Sequence, residues 1–180
     1  MTQKLINNDT MKISLSDKQI LEHLEMIDSH LHMSYKEFIM PDSPDGIISF
    51  EKIAQAMMMH VGLFGYEPVV KYDRLDANTG GYIKLNNNLD NKVYITISED
   101  LRTQWEIQYA VLAHEICHKL LYIHNCYFPD MGDYNESLTD IVTIYVGFGK
   151  LTLNGCLVVY DKLNRVFDLT RAIQVCRLLA

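Results

Sequence analysis

Apolar residues recur at helical spacing in the N-terminal part of the chain. Residues 1–15 are polar and predict a flexible lead-in, whereas Ser16 stands where an N-cap is expected, before an apolar stripe. That stripe consists of Ile20, Leu21, Leu24, Ile27 and Leu31. A second helical pattern starts near Ser49, after a stretch at 40–46 whose prolines and glycine predict a loop. We therefore expect the chain to open with two helices.

The hydrophobic period changes to that of β-strands in the middle of the chain. The segments at 67–72, 81–85 and 92–97 are short and rich in β-branched or aromatic residues, which predicts strands. In the last segment apolar and polar residues alternate, as they do in a strand with one buried face. The turn-rich sequence LNNNLDN separates the second and third segments. It predicts an antiparallel hairpin.

Helical patterns return after the strands, at roughly 101–124 and roughly 134–150. The tail adds three further predicted elements, namely strands at 156–160 and 165–168 and a closing helix from Leu169. This order of elements predicts an α+β fold, with residues 16–180 in a single domain. Within it, a small antiparallel or mixed sheet is expected to pack on the helix at 101–124 and on the helix that follows.

The balance of charges argues against two classes of partner. Sixteen Lys and Arg residues against 23 Asp and Glu residues give this chain of 180 residues a net charge of −7. Nucleic-acid binders and proteins that adhere to anionic membranes need a concentrated basic surface. Neither a nucleic acid nor a membrane is therefore expected as a partner.

The first residues and the cysteines predict the compartment. Residues 1–15 lack the apolar core of a signal peptide, and no apolar run approaches the roughly 18 residues of a membrane span. The four cysteines form no CxxC pair, and Cys117 is expected in the core. We therefore expect a cytoplasmic protein with reduced thiols. Export by a route that needs no N-terminal signal stays open.

The segment AHEICHK contains candidate metal-binding and catalytic residues. His114 and His118 are four residues apart, so on a helix both imidazoles project from one face and can bind one Zn²⁺ ion. Glu115 lies about 100° around the helix from His114, where its carboxylate can reach a water molecule on the metal. We therefore predict His114 and His118 as zinc ligands and Glu115 as the general base.

A third zinc ligand is expected on the next predicted helix. Glu136 follows His118 by 18 residues, and Asp140 lies one turn further along the same helix face. We assign Glu136 as the third ligand and Asp140 as the carboxylate that holds the second N–H of a histidine. The reverse assignment of these two residues is the main alternative. Asn135 is expected to cap the helix.

HExxH on one helix followed by NExxxD on the next resembles the gluzincin metallopeptidases. The matching residues are His114, Glu115, His118, Asn135, Glu136 and Asp140. The lead-up, from GGYIKLNNNLDNKVYITI to AVLAHEICHKLL, is similar to the compact ImmA/IrrE-type intracellular metallopeptidases, which place a small sheet before the zinc helix. The resemblance covers roughly residues 47–150 and implies a zincin-like fold. It does not indicate a substrate.

These features predict a zinc-dependent metallopeptidase that hydrolyses a protein or peptide substrate. Zn²⁺ lowers the pKa of a bound water from about 15.7 toward 7, and Glu115 takes a proton from that water as it attacks the peptide carbonyl. Two other interpretations stay open, namely an effector or toxin protease with a single host target and a non-catalytic, zinc-stabilised module that recruits a partner. Control of the site by a regulatory protein also stays open.

Overall fold

The computed structural model describes residues 16–32, 36–40, 49–76, 79–86 and 90–159. Its helices and strands are α1 (Asp17–Leu31), α2 (Phe50–His60), β1 (Glu67–Asp73), β2 (Gly81–Ile83), β3 (Lys92–Ser98), α3 (Trp105–Ile123), α4 (Gly132–Thr143) and α5 (Gly149–Val159). The predicted α+β class with a small mixed sheet is confirmed. The predicted lead-in at 1–15 lies outside the described residues. None of the described helices has the length and apolar composition needed to cross a membrane.

Both N-terminal helices begin at serine caps, the first of them at the predicted Ser16. The Ser16 hydroxyl oxygen accepts a hydrogen bond from the Gln19 backbone N–H at 3.3 Å, and the Gln19 side chain accepts one from the Ser16 N–H at 2.9 Å. The Ser49 hydroxyl oxygen accepts from the Lys52 N–H at 3.3 Å. Such caps satisfy N–H groups that the first helical turn leaves unpaired, and each contributes about 1 kcal/mol. The local sequence therefore determines where α1 and α2 start.

The sheet has the strand order β1-β3-β2. The central strand β3 pairs in parallel with β1 and antiparallel with β2, with Tyr82 opposite Thr96. The predicted hairpin between β2 and β3 is therefore confirmed. Alternation along β3 buries Val93, Ile95 and Ile97, each at most 1% exposed. This sheet packs against α3.

α3 is the central helix of the core, because it packs against β2, β3, α4 and α5 and also contacts α2. The predicted helix at 101–124 starts too early: Glu99–Leu101 forms a separate 3-10 turn and α3 begins at Trp105. Gln108 accounts for the difference. Its side-chain amide donates to the Leu101 carbonyl at 2.7 Å, which holds the 3-10 turn beside the first turn of α3.

The last helical region departs from the predicted single helix at 134–150. α4 begins earlier, at Gly132, and ends in a π-helical segment, Ile144–Phe148, that is kinked at Gly147 before α5 continues. The kink lies inside a run of apolar residues whose helical period is not interrupted. Periodicity alone therefore does not reveal it.

The predicted strand at 156–160 is wrong, since residues 156–159 are the last part of α5. Their apolar, partly β-branched sequence fits a buried strand locally. α5 is nevertheless a helix packed on α3, and the contact is close where Gly155 meets Ala110: a Cβ added to Gly155 would stand 2.4 Å from the Ala110 Cβ. Two further predictions lie outside the described residues, namely the strand at 165–168 and the helix from Leu169.

Gly147 is required by the kink for two reasons. Its φ of +100° lies in the left-handed region, which residues with a Cβ rarely adopt. A Cβ at this position would also stand 1.7 Å from the Lys36 carbonyl oxygen. The Phe38 N–H donates to the Gly147 carbonyl at 3.0 Å, so the segment at 36–40 is attached to the kink.

Replacing Gly147 with alanine is expected to lower the free energy of unfolding by more than about 2 kcal/mol, because the strain and the backbone overlap act together. Urea unfolding followed by far-UV circular dichroism measures the change. Gly132→Ala is the matched control, since a Cβ there meets no atom within 4 Å. That control should be neutral or slightly stabilising. Equal stability of the two variants would contradict the kink.

Candidate metal centre

α3 brings two imidazoles together at one point. His114 and His118, one turn apart on the helix, lie edge to face with ring centroids 4.7 Å apart. Their Nε2 atoms are 3.0 Å from each other. Both side chains are largely buried, at 12% and 9% exposure. The predicted pair of nitrogen ligands therefore converges at one largely buried point.

α4 supplies a carboxylate to the same point. Glu136 Oε2 lies 3.1 Å from His114 Nε2, and Oε1 lies 3.3 Å from His118 Nε2. Ligands bound at about 2.0–2.1 Å to tetrahedral zinc lie about 3.3 Å from one another, so the donor types and their spacing fit a zinc ion. These three side chains form a group that can hold a metal ion. The Glu136 side chain is 61% exposed, which leaves the group accessible from one side.

Thr139 sets the orientation of His118. Its hydroxyl oxygen lies 3.0 Å from His118 Nδ1 and also donates a hydrogen bond to the Asn135 carbonyl at 2.7 Å. A hydroxyl has one proton to donate, so toward His118 the oxygen accepts and Nδ1–H is the donor. When the ring is neutral, Nε2 is therefore the nitrogen with the free lone pair, and it faces Glu136.

Asp140 holds the other histidine. Its Oδ1 atom lies 3.1 Å from His114 Nδ1, which is the contact predicted for a carboxylate behind a metal ligand. Glu136 therefore lies among the donor atoms and Asp140 lies behind His114, and the assignment of Glu136 rather than Asp140 as the third ligand stays a prediction. Sequence reasoning missed Thr139 as the equivalent partner of His118. Its position three residues after Glu136 places it on the same helix face, which is the signal that could have found it.

The charges around His114 favour a cation at the point where the three donor side chains converge. Burial lowers the pKa of His114, but hydrogen bonds with Asp140 and Glu136 outweigh it and raise the pKa to about 10. Burial raises the pKa of Glu136, but its hydrogen bonds with His114 and His118 outweigh that effect and hold the pKa well below its usual range. A proton therefore occupies the cluster at neutral pH, and a divalent cation can replace it.

Glu115 lies beside the three donors without belonging to them. It is 7% exposed and lies on the side of α3 that faces β2, next to Gly81. Burial raises the pKa of Glu115, while the nearby imidazoles of His114 and His118 lower it less strongly. A carboxylate with a raised pKa is a better proton acceptor than an ordinary glutamate. The predicted base is thus next to the predicted ligands but on a different side of the helix.

Lys119 is a second residue that sequence reasoning missed. It lies one turn after Glu115, is 3% exposed, and donates from Nζ to the Leu85 carbonyl at 2.9 Å. The amine also lies 5.6 and 5.3 Å from the ring centroids of Tyr66 and Tyr122. This contact ties the residues that follow β2 to α3, on the side occupied by Glu115.

Asn135 does not cap α4 as predicted, because the helix starts at Gly132 and Asn135 lies within it. Its amide group accepts from the Phe128 N–H at 3.0 Å and donates to the Phe128 carbonyl at 2.6 Å, which closes the loop before the helix. Asparagine suits both roles, so its type alone does not separate them. The assignment of Cys117 to the core is confirmed: burial raises the pKa of its thiol to about 12.

Comparison with protein-family models, with curated proteins and with solved structures gives no match for this chain. The resemblance to gluzincin metallopeptidases therefore stays a prediction that depends on the motif residues. The function has to be inferred from the site itself.

Removal of the Glu136 carboxylate is expected to weaken zinc binding more than removal of the Asp140 carboxylate. Glu136→Ala deletes a donor, whereas Asp140→Ala deletes a partner of a donor, a change that typically costs about 10–100-fold in affinity. Thr139→Val should resemble Asp140→Ala. Competition with a chelator of known affinity measures the constants, and the exposed Glu22→Ala on α1 is the control. A larger loss for Asp140→Ala would reverse the assignment.

Zinc binding is expected to release about one proton at pH 7. The pKa of His114 is raised to about 10 in the metal-free protein, so at pH 7 this group is protonated and the ion displaces its proton. Affinity should therefore rise as the pH increases toward 10 and fall as the pH decreases. Calorimetry in two buffers with different ionisation enthalpies counts the protons. Binding heats that do not depend on the buffer would contradict a displaced proton.

Proposed function

We propose that this chain is a zinc-dependent metallopeptidase of zincin-like fold. The observation that carries the proposal is the convergence of His114, His118 and Glu136 with donor atoms 3.0 to 3.3 Å apart, beside the buried carboxylate of Glu115. The proposed fold is supported by a small mixed sheet packed on α3, with a donor-bearing α4 after it. These are the features that the resemblance to gluzincins implies.

His114, His118 and Glu136 would hold the ion, with Asp140 and Thr139 behind the two histidines. Zn²⁺ bound there supplies a Lewis acid that acidifies water and stabilises negative charge on a carbonyl oxygen. A structural zinc site is closed by four protein ligands, whereas three side chains converge in the described residues. This difference favours an enzyme over a non-catalytic, zinc-stabilised module.

Glu115 is the proposed general base. Its carboxylate accepts a proton from the attacking water as the water oxygen bonds to the peptide carbonyl carbon, and it donates that proton to the leaving nitrogen as the C–N bond breaks. Burial beside β2 supports this role, because it keeps the carboxylate away from bulk water and raises its pKa. The two histidines would hold the ion and take no part in this proton transfer.

A protein or peptide in extended conformation is the proposed substrate. Among the described residues β2 pairs with β3 alone. The Gly80 carbonyl and the Lys84 N–H bond to β3, so the backbone groups of Gly81 and Ile83 are directed to the other edge of the strand. An extended peptide can pair with such an edge next to Glu115. The net charge of −7 supports neither a nucleic acid nor an anionic membrane as partner.

Substitution of Glu115 by glutamine is expected to abolish cleavage while zinc stays bound. The amide has nearly the same shape but cannot accept the proton, so the turnover rate should fall by about 10²–10⁴-fold. New protein N-termini are compared by mass spectrometry between cells that express the parent chain and cells that express Glu115→Gln. Glu106→Gln, in the first turn of the same helix, is the matched control. Identical sets of N-termini from parent and Glu115→Gln cells would contradict the proposed activity.

A further inference from the structure

Gly81 lies where β2 meets α3. A Cβ built on Gly81 would stand 2.4 Å from Val111 Cγ1, 2.9 Å from Glu115 Oε1 and 3.1 Å from Glu115 Cγ. Carbon atoms do not approach other heavy atoms this closely without displacement. The Glu115 carboxylate therefore occupies part of the space that a side chain on β2 would fill.

The backbone of Gly81 does not itself require a glycine. The residue pairs with Ile97 in regular antiparallel register, and its φ is not in the left-handed region. Glycine weakens a strand relative to the β-branched residues that strands favour. The close approach of α3 is therefore what excludes a side chain here.

β2 is held in position on both sides of this contact. The Gly80 carbonyl and the Lys84 N–H bond to β3 at 2.8 and 3.0 Å. The Leu85 carbonyl accepts from Lys119 at 2.9 Å. The strand cannot move away from α3 without disturbing these hydrogen bonds, so an added side chain would displace the Val111 methyl group and the flexible end of Glu115 instead.

We propose that Gly81 is a positioning residue for Glu115. By lacking a side chain it lets β2 close over the carboxylate and hold it beside the three metal-binding side chains. The catalytic consequence rests on the proposed function, whereas the contact between Gly81 and Glu115 does not. Misplacement of a catalytic group by about 1 Å can cost about 10²-fold in rate, so the contact is expected to determine kcat.

The kinetic test compares Gly81→Ala with Gly132→Ala, whose added Cβ meets no atom within 4 Å. The substrate is a quenched-fluorescent peptide that carries a cleavage site found from the new N-termini. Gly81→Ala should lower kcat by about 10–100-fold, with KM and zinc content unchanged, because none of the three donor side chains is among the nearest atoms to the added Cβ. A purely structural defect would lower the zinc content or the folded fraction instead. A kcat within twofold of the control would overturn the inference.

The contact itself is tested by thermal unfolding in a Val111→Ala background, which removes the closest overlap and keeps the variant able to fold. The effect of Gly81→Ala on the Tm is measured in two Val111→Ala proteins, one that retains Glu115 and one that also carries Glu115→Ala. The Tm should fall by at least about 3 °C more when Glu115 is present, because only then does the new methyl group meet the carboxylate. Equal shifts in both backgrounds would mean that Gly81 does not position Glu115.

Failure of the proposed function and failure of the positioning role of Gly81 give different results. If cleavage by the parent chain does not depend on Glu115, the proposed function is wrong, and the Tm comparison still decides whether Gly81 sets the position of Glu115. If cleavage depends on Glu115 but Gly81→Ala has the kcat of its control, the proposed function stands and the positioning role is overturned.

Discussion

The arrangement of the site depends on three electron-pair donors that face one another at about hydrogen-bond distance. Two imidazole nitrogens and a carboxylate, separated by 3.0 to 3.3 Å, repel unless a positive charge lies between them. In the metal-free protein a proton can supply this positive charge, and the pKa of His114 is raised accordingly. The fold keeps the donors together by burying α3 in the core, where the histidines cannot turn away toward water.

One short helix controls the geometry of these donors. Glu136, Thr139 and Asp140 share a face of α4, so one helix contributes a donor and both partners of the histidine Nδ1 atoms. A shift of α4 along α3 would break all of these contacts at once. The loop closed by Asn135 at one end of α4 and the kink at Gly147 beyond its other end restrict such a shift. Contacts far from the donors thereby contribute to their alignment.

Sequence patterns predict what depends on spacing along one element. The two serine caps, the β2–β3 hairpin and the convergence of His114 with His118 all follow from local rules. What the patterns miss depends on contacts between elements. Thr139 is an ordinary helix residue until His118 lies beside it, and the kink at Gly147 depends on the carbonyl of Lys36. The strand predicted at 156–160 fails for the same reason, since packing on α3 selects a helix for a sequence that suits either structure.

The residues proposed for metal binding and for proton transfer project from α3 toward different neighbouring elements. The histidines of α3 contact α4, whereas Glu115 contacts β2 at Gly81. Changes on α4 should therefore act on metal affinity, and changes on β2 should act on proton transfer. On the side of α3 that faces β2, Lys119 lies one turn after Glu115. Its bond to the Leu85 carbonyl attaches the residues that follow β2 to the same helix. Because both sides are built on one buried helix, Glu115 and the three donor side chains are held in a fixed relation to each other, which the proposed general-base attack would require.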